Sequence, residues 1–250
     1  MDVEQVVRRL KALRDPQMRV RVLVEWLRDG DASDWVEALD EILTRARTEA
    51  VPDFIEALEC ITQAAADLAM PYETRQRVYT AAVERERGAI ARLFLAASPH
   101  VDIPPQLKRQ LGPERPLRPA DRPLTLGERK ALARTHRRDK LLLLIRDPHP
   151  DVVAILLDNP HITEADVVRV AAARPAVPAS LALVAANVRW SVRHPVKRAL
   201  VLNPATPLAD AIRLATTLRA ADLAEIADDS NLPEPLRAHA RELITDRSLS

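Results

Sequence analysis

Apolar residues recur three and four positions apart through most of this chain, the spacing that gathers them on one face of an α-helix. Val6, Val7, Leu10 and Leu13 form the first such stripe. Asp15-Pro16 follows as a cap and a first-turn proline, whose missing N–H costs nothing at that place. The stretch through Val20, Val22, Leu23, Val24, Trp26 and Leu27 is nearly apolar all round and runs to Gly30. That predicts a helix at the centre of its group. Ser33 stands where it can cap the next helix, which carries Trp35, Val36, Leu39, Ile42 and Leu43. Two more helices are predicted, over 52–70 and over 71–97, the latter interrupted at Gly88. Their connections are short, which calls for antiparallel packing.

The regularity stops between Ser98 and Pro123, where seven prolines fall in 26 residues. Proline blocks helix interiors and biases the residue before it to extended geometry, so this stretch reads as a linker or a surface crossing. Thr125 and Glu128 then stand at capping-box spacing, and helix resumes. Beyond them the chain repeats itself at an offset of 44. Asn159-Pro-His-Ile-Thr-Glu-Ala-Asp-Val-Val-Arg-Val-Ala171 lies opposite Asn203-Pro-Ala-Thr-Pro-Leu-Ala-Asp-Ala-Ile-Arg-Leu-Ala215, identical at six of 13 positions. Short helices are predicted over 150–158, 164–173, 178–187, 195–202, 207–217 and 220–228, with a terminal helix near 233–245. Asn159 and Asn203 precede prolines, so their backbones should be extended and their side chains free to satisfy backbone groups nearby. Asp166 with Arg169, and Asp210 with Arg213, are expected as ion pairs on a solvated helix face.

The expected fold is therefore all-α. Residues 1–97 make an N-terminal helical bundle, 98–123 a proline-rich basic linker or crossing, and 124–250 an α-solenoid of period about 44. A short helix, Asn-Pro, a Thr or Pro cap and then an Ala/Leu-rich helix resembles the leucine-rich repeat variant and HEAT-like α-solenoids, over about residues 138–245. The resemblance implies a right-handed stack with one broad face for a partner. Some leucine-rich repeat variant proteins also carry a cysteine-rich, cluster-binding segment. Cys60, alone in this chain, cannot reproduce it.

Composition narrows the chemistry. With 4 glycines and 7 aromatic residues among 250, barrels, sandwiches and Rossmann-type sheets are disfavoured, and so is a Gly-x-Gly-x-x-Gly loop. A single cysteine excludes disulfide frameworks and multi-cysteine metal sites. No apolar run approaches the roughly 20 residues of a membrane span, and the first residues lack a signal peptide's pattern, so a cytoplasmic protein is expected. His149, His161 and His194 each lie near a proline at a helix junction, but no His-Glu-x-x-His accompanies them. No catalytic residue, cofactor or metal is assigned.

The net charge of +1 conceals an uneven layout. Residues 1–100 hold 14 basic against 18 acidic side chains, 101–150 hold 12 against 6, and 151–250 hold 11 against 12. Two basic features stand out as partner-binding candidates. One includes Arg129, Lys130, Arg134, Arg137, Arg138 and Lys140; the other sets Trp190 among Arg189, Arg193, His194, Lys197 and Arg198. Cations on one face can neutralise phosphates while an indole stacks on a base, as HEAT-like DNA glycosylases bind DNA. The alternative is that Trp190 fills a junction between repeats and the cations solubilise the surface. The expected function is non-enzymatic: a protein-interaction adaptor or scaffold. Nucleic-acid binding around Trp190 is the alternative, and self-association through the N-terminal bundle remains open.

Overall fold

The computed structural model describes residues 2–48, 51–67, 69–95, 105–112 and 123–248. Among these residues all regular structure is helical. The first six helices are α1 (Val3–Ala12), α2 (Pro16–Asp29), α3 (Ala32–Thr48), α4 (Pro52–Ala66), α5 (Tyr72–Glu84) and α6 (Gly88–Phe94). Next come α7 (Pro105–Gln110), α8 (Leu126–Ala133), α9 (Arg138–Leu143), α10 (Pro150–Asp158) and α11 (Glu164–Ala171). The last five are α12 (Pro178–Ala186), α13 (His194–Val201), α14 (Leu208–Ala215), α15 (Ala220–Asp228) and α16 (Glu234–Ser248). No helix among the described residues is long and apolar enough to cross a membrane.

Local chemistry explains most boundaries. Asp15 accepts from the Gln17 N–H at 3.0 Å and Pro16 opens α2. Thr125 and Glu128 exchange the two bonds of a capping box at the start of α8, 2.8 and 3.3 Å long. Gly88 begins α6, after Glu86 takes a positive φ of 58° to turn the chain out of α5. Two expectations need correction. α3 is capped by Asp31, not Ser33: the Asp31 carboxylate accepts from the backbone of both Ser33 and Asp34, which starts the helix one residue before the serine. Nor is α2 surrounded by core. It buries Val20, Leu23, Val24 and Leu27 but leaves Arg21 exposed and Trp26 only partly covered, the outer ring of a stack on the buried Trp35.

The chain divides into two compact units, Met1–Ala97 with Ala211–Ser250, and Ser98–Asp210. The sequence reading places 124–250 together, whereas this division falls inside α14. In the first unit α1 and α2 pack on α4, α3 packs on α4 and α5, and α5 packs on α6. Their buried faces join in one core running from Val3 to Phe94. Polar contacts hold the last helices there. The Arg47 guanidinium donates to the Thr216 carbonyl at 3.0 Å, and Arg92 pairs with Glu242 at 2.8 Å. Arg213, expected on a solvated face, is buried and reaches the Thr62 carbonyl.

In the second unit alternate helices pack: α8 on α10, α10 on α12, and α11 on α13. Of the proline-rich stretch, 98–104 and 113–122 lie outside the described residues. Its described middle contains the short helix α7, which the prolines did not predict; Pro105 occupies the first position, where a helix needs no N–H. The two repeat asparagines perform the same task in successive places. Asn159 Nδ2 donates to the carbonyls of Ala133 and Thr135 at 2.8 and 2.9 Å, while its Oδ1 accepts from the His161 N–H. Asn203 Nδ2 donates to Ala171 and Ala173 at 2.8 and 3.0 Å, and its Oδ1 accepts from the Ala205 N–H. Each side chain thus ties the open carbonyl end of an earlier helix, α8 or α11, to the turn that follows its own helix.

Candidate functional site

All twelve candidate residues lie in the second unit, and the structure distributes them between interior and surface. Trp190 follows α12 in a turn whose backbone is fixed by Asn187, whose Oδ1 accepts from the N–H groups of Arg189 and Trp190. The indole is only 4% exposed, and its Nε1–H donates to the Leu157 carbonyl at 2.9 Å in the last turn of α10. The Arg189 guanidinium covers one ring face at 4.3 Å. A base has no open face on which to stack. Lys197 is buried as well, and Arg198 and His194 are partly covered and engaged within the chain. Of this group only Arg189 and Arg193 stay exposed, Arg193 standing 3.9 Å from Glu164. The four cations, His194 and the indole therefore do not form one binding face.

The earlier basic stretch divides in the same manner. Arg129 of α8 turns inward: its side chain is 4% exposed and that of its partner Asp147 is 0%. The pair is 2.6 Å long, and a second guanidinium nitrogen donates to the Leu111 carbonyl at 2.9 Å. Lys130 shares Asp151 with Lys108, each ammonium 2.6 Å from a different carboxylate oxygen. Those two hydrogen bonds hold the Asp151 carboxyl down at about 2. Between the two clusters sits His149, the N-cap of α10, whose Nδ1 accepts from the Asp151 N–H. Burial above all pushes this imidazole below its ordinary value, which keeps it a neutral acceptor.

Arg138 at the start of α9 makes a bidentate pair with Asp166, 2.8 and 3.1 Å long. Asp166 was expected on a solvated face, yet its side chain is 1% exposed. Burial alone would raise its carboxyl; the bonds from Arg138 and from the Thr163 hydroxyl and N–H outweigh that and hold it below the usual range. Arg169, its expected partner, stands 4.0 Å away on the exposed side. Arg137 and Lys140 both lean on Asp139, at 3.2 and 3.8 Å, and Arg134 donates back to the Lys130 carbonyl.

Sequence reasoning missed the carboxylates that consume these cations, Asp147, Asp151 and Asp166. The signal for two of them was present in Asp147-Pro-His-Pro-Asp151, a dense capping sequence directly before an apolar run. It also missed what remains on the outside. Leu142 and Leu143, adjacent on α9, are 41% and 42% exposed. Arg134, Arg137 and Arg146, near them in sequence, are also exposed, and Arg146 has no ion-pair partner among the described residues.

The single cysteine is withdrawn from solvent. Burial pushes the Cys60 thiol up to about 12, far from a nucleophile's range. Among the described residues no three His, Cys, Asp or Glu side chains gather where they could hold a metal ion. No protein-family model, no curated protein and no solved structure matches this chain.

Proposed function

We propose that this chain is a non-enzymatic protein-interaction module, an adaptor or scaffold built on α-helical repeats of the HEAT-like kind. The alternate packing of α8, α10 and α12 and the matched asparagine ties of Asn159 and Asn203 support the repeat reading. Its single cysteine, a buried thiol, suits a reducing compartment such as the cytoplasm.

One observation carries the interaction surface: two adjacent leucines stand exposed on α9, in a stretch of chain that also exposes Arg134, Arg137 and Arg146. Covering a leucine side chain is worth about 1.5–3 kcal/mol, and the exposed guanidinium groups of that stretch select an acidic partner and speed its approach. The preferred partner is thus an acidic segment with apolar anchors. Nucleic acid is the weaker reading because the indole meant for stacking is enclosed.

The test is affinity purification of the wild type beside a Leu142→Asp/Leu143→Asp double variant, with cross-links from Lys140 located by mass spectrometry. A stoichiometric protein partner should cross-link at Lys140 and be lost from the variant. Equal recovery by both, or no stoichiometric partner under gentle conditions, would overturn the assignment.

A further inference from the structure

A cleft of about 330 Å³ opens beside α1, where the end of α2 meets the start of α3. Its size falls within the range of small-molecule sites, about 300–1,000 Å³. Trp26, partly exposed, supplies the apolar wall; its ring stacks on that of Trp35, nearly parallel at 16° with centroids 6.3 Å apart, and Trp35 itself is only 4% exposed. Gly30 makes that wall attainable: a Cβ there would collide with Nε1 of Trp35.

The polar groups around the cleft differ in how far they are already used. Both Asp29 oxygens accept from Arg28, at 2.8 and 3.2 Å, and that pairing holds the Asp29 carboxyl below its ordinary value. Asp2 caps α1, one oxygen accepting from the Gln5 N–H. Arg9, one and two turns further along the same helix face, is exposed and has no hydrogen-bond or ion-pair partner among the described residues. The Nε1–H of Trp35 likewise has no acceptor among them. What the cleft leaves unspent is donors, beside a planar apolar wall.

We propose that this cleft binds a small aromatic monocarboxylate. The ring lies against the Trp26 indole, and the carboxylate takes the Arg9 guanidinium, whose fork matches it in two-point contact. Asp2 and Asp29 at the margin repel a second negative charge, so a monoanion is preferred to a dianion of the same size. They also define the rival occupant, an aromatic amine, which the free donors oppose.

Indole-3-acetate and benzoate are the probes, titrated calorimetrically and by tryptophan fluorescence into the whole chain. Phthalate and tryptamine are the dianionic and cationic comparisons. Saturable binding of a monocarboxylate is expected, weakened roughly tenfold in Arg9→Gln. That variant should fold normally, since the side chain it changes is exposed and unpartnered; circular dichroism checks this. Gly30→Ala, which displaces the Trp35 ring, should weaken binding too. Absence of saturable binding by either acid would overturn the proposal. So would equal affinity in a folded Arg9→Gln protein, or tighter binding of tryptamine or phthalate than of the monocarboxylates.

Discussion

Replacing Asn159 by alanine removes three hydrogen bonds in one stroke: two from Nδ2 to the carbonyls of Ala133 and Thr135, and one from the His161 N–H to Oδ1. The side chain is buried, so water reaches these groups poorly. At about 1 kcal/mol net for each bond, the loss is about 3 kcal/mol, more if a carbonyl is left dry. Asn203→Ala should cost the same, because Asn203 repeats the geometry at Ala171, Ala173 and Ala205. Asn187 is the internal comparison. It is only partly buried and its Oδ1 accepts twice within its own turn, so Asn187→Ala should cost about 1 kcal/mol. Aspartate is the sharper probe. At neutral pH Asn159→Asp sets a carboxylate oxygen against two carbonyls, and it should be worse than alanine although it is nearly isosteric. Urea unfolding followed by circular dichroism measures the series; with a slope of about 2 kcal/mol per molar, a 3 kcal/mol loss moves the midpoint by about 1.5 M. Equal small losses at all three asparagines, or an aspartate variant as stable as the wild type, would refute the reasoning.

The remaining predictions concern charge. Arg129→Met strands the Asp147 carboxylate, whose side chain is 0% exposed, and should cost about 3–5 kcal/mol. Adding Asp147→Asn removes the charge but keeps an acceptor for the His149 N–H, so the double variant should recover part of the loss in urea unfolding; no recovery would contradict the charge argument. His239 carries a pH dependence. Burial first, then the Arg92 and Arg47 charges, push it down to about 3. An unfolded histidine titrates near 6.5, so between these values the unfolded chain binds the extra proton. Stability is full above about 6.5 and falls as pH drops towards 3, by up to about 1.4 kcal/mol per unit. His239→Gln can retain the contact with the Thr216 hydroxyl and should flatten that part of the profile; identical slopes in the two proteins would show that His239 is not responsible.

Helices were the legible part of this chain because their signals are local. The expected segments 150–158, 178–187 and 220–228 match α10, α12 and α15 to within a residue; α10 and α12 start at a proline, and all three stop at Asn or Asp. Asp15-Pro16 and the Thr125–Glu128 box read directly as helix starts. The asparagine ties were half legible. Extended Asn-Pro geometry foretold free side chains, but which carbonyls they would meet depended on helices 24–32 residues earlier.

The candidate surface was far less legible. A run of arginines looks the same in sequence whether it faces water or a buried carboxylate. Arg129 and Arg134 sit five residues apart, yet one is enclosed with Asp147 and the other lies outside. Among cations in the sequence Trp190 reads as a stacking platform, but its indole closes the last turn of α10 through Leu157. Asp166 and Asp210 occupy matched repeat positions, and only Asp166 receives Arg138.

The sequence by itself therefore determined that the chain is helical, where most helices begin and end, and that two asparagines recur to finish turns. Those properties depend on backbone dihedrals, capping bonds and apolar periodicity within a few residues. Tertiary structure alone decided which cations are spent, where the leucines of α9 are left uncovered, and that Trp26 and Trp35 flank a cleft. Those depend on distances between residues far apart in the chain, and a carboxylate 18 or 28 positions away leaves no trace in the local pattern.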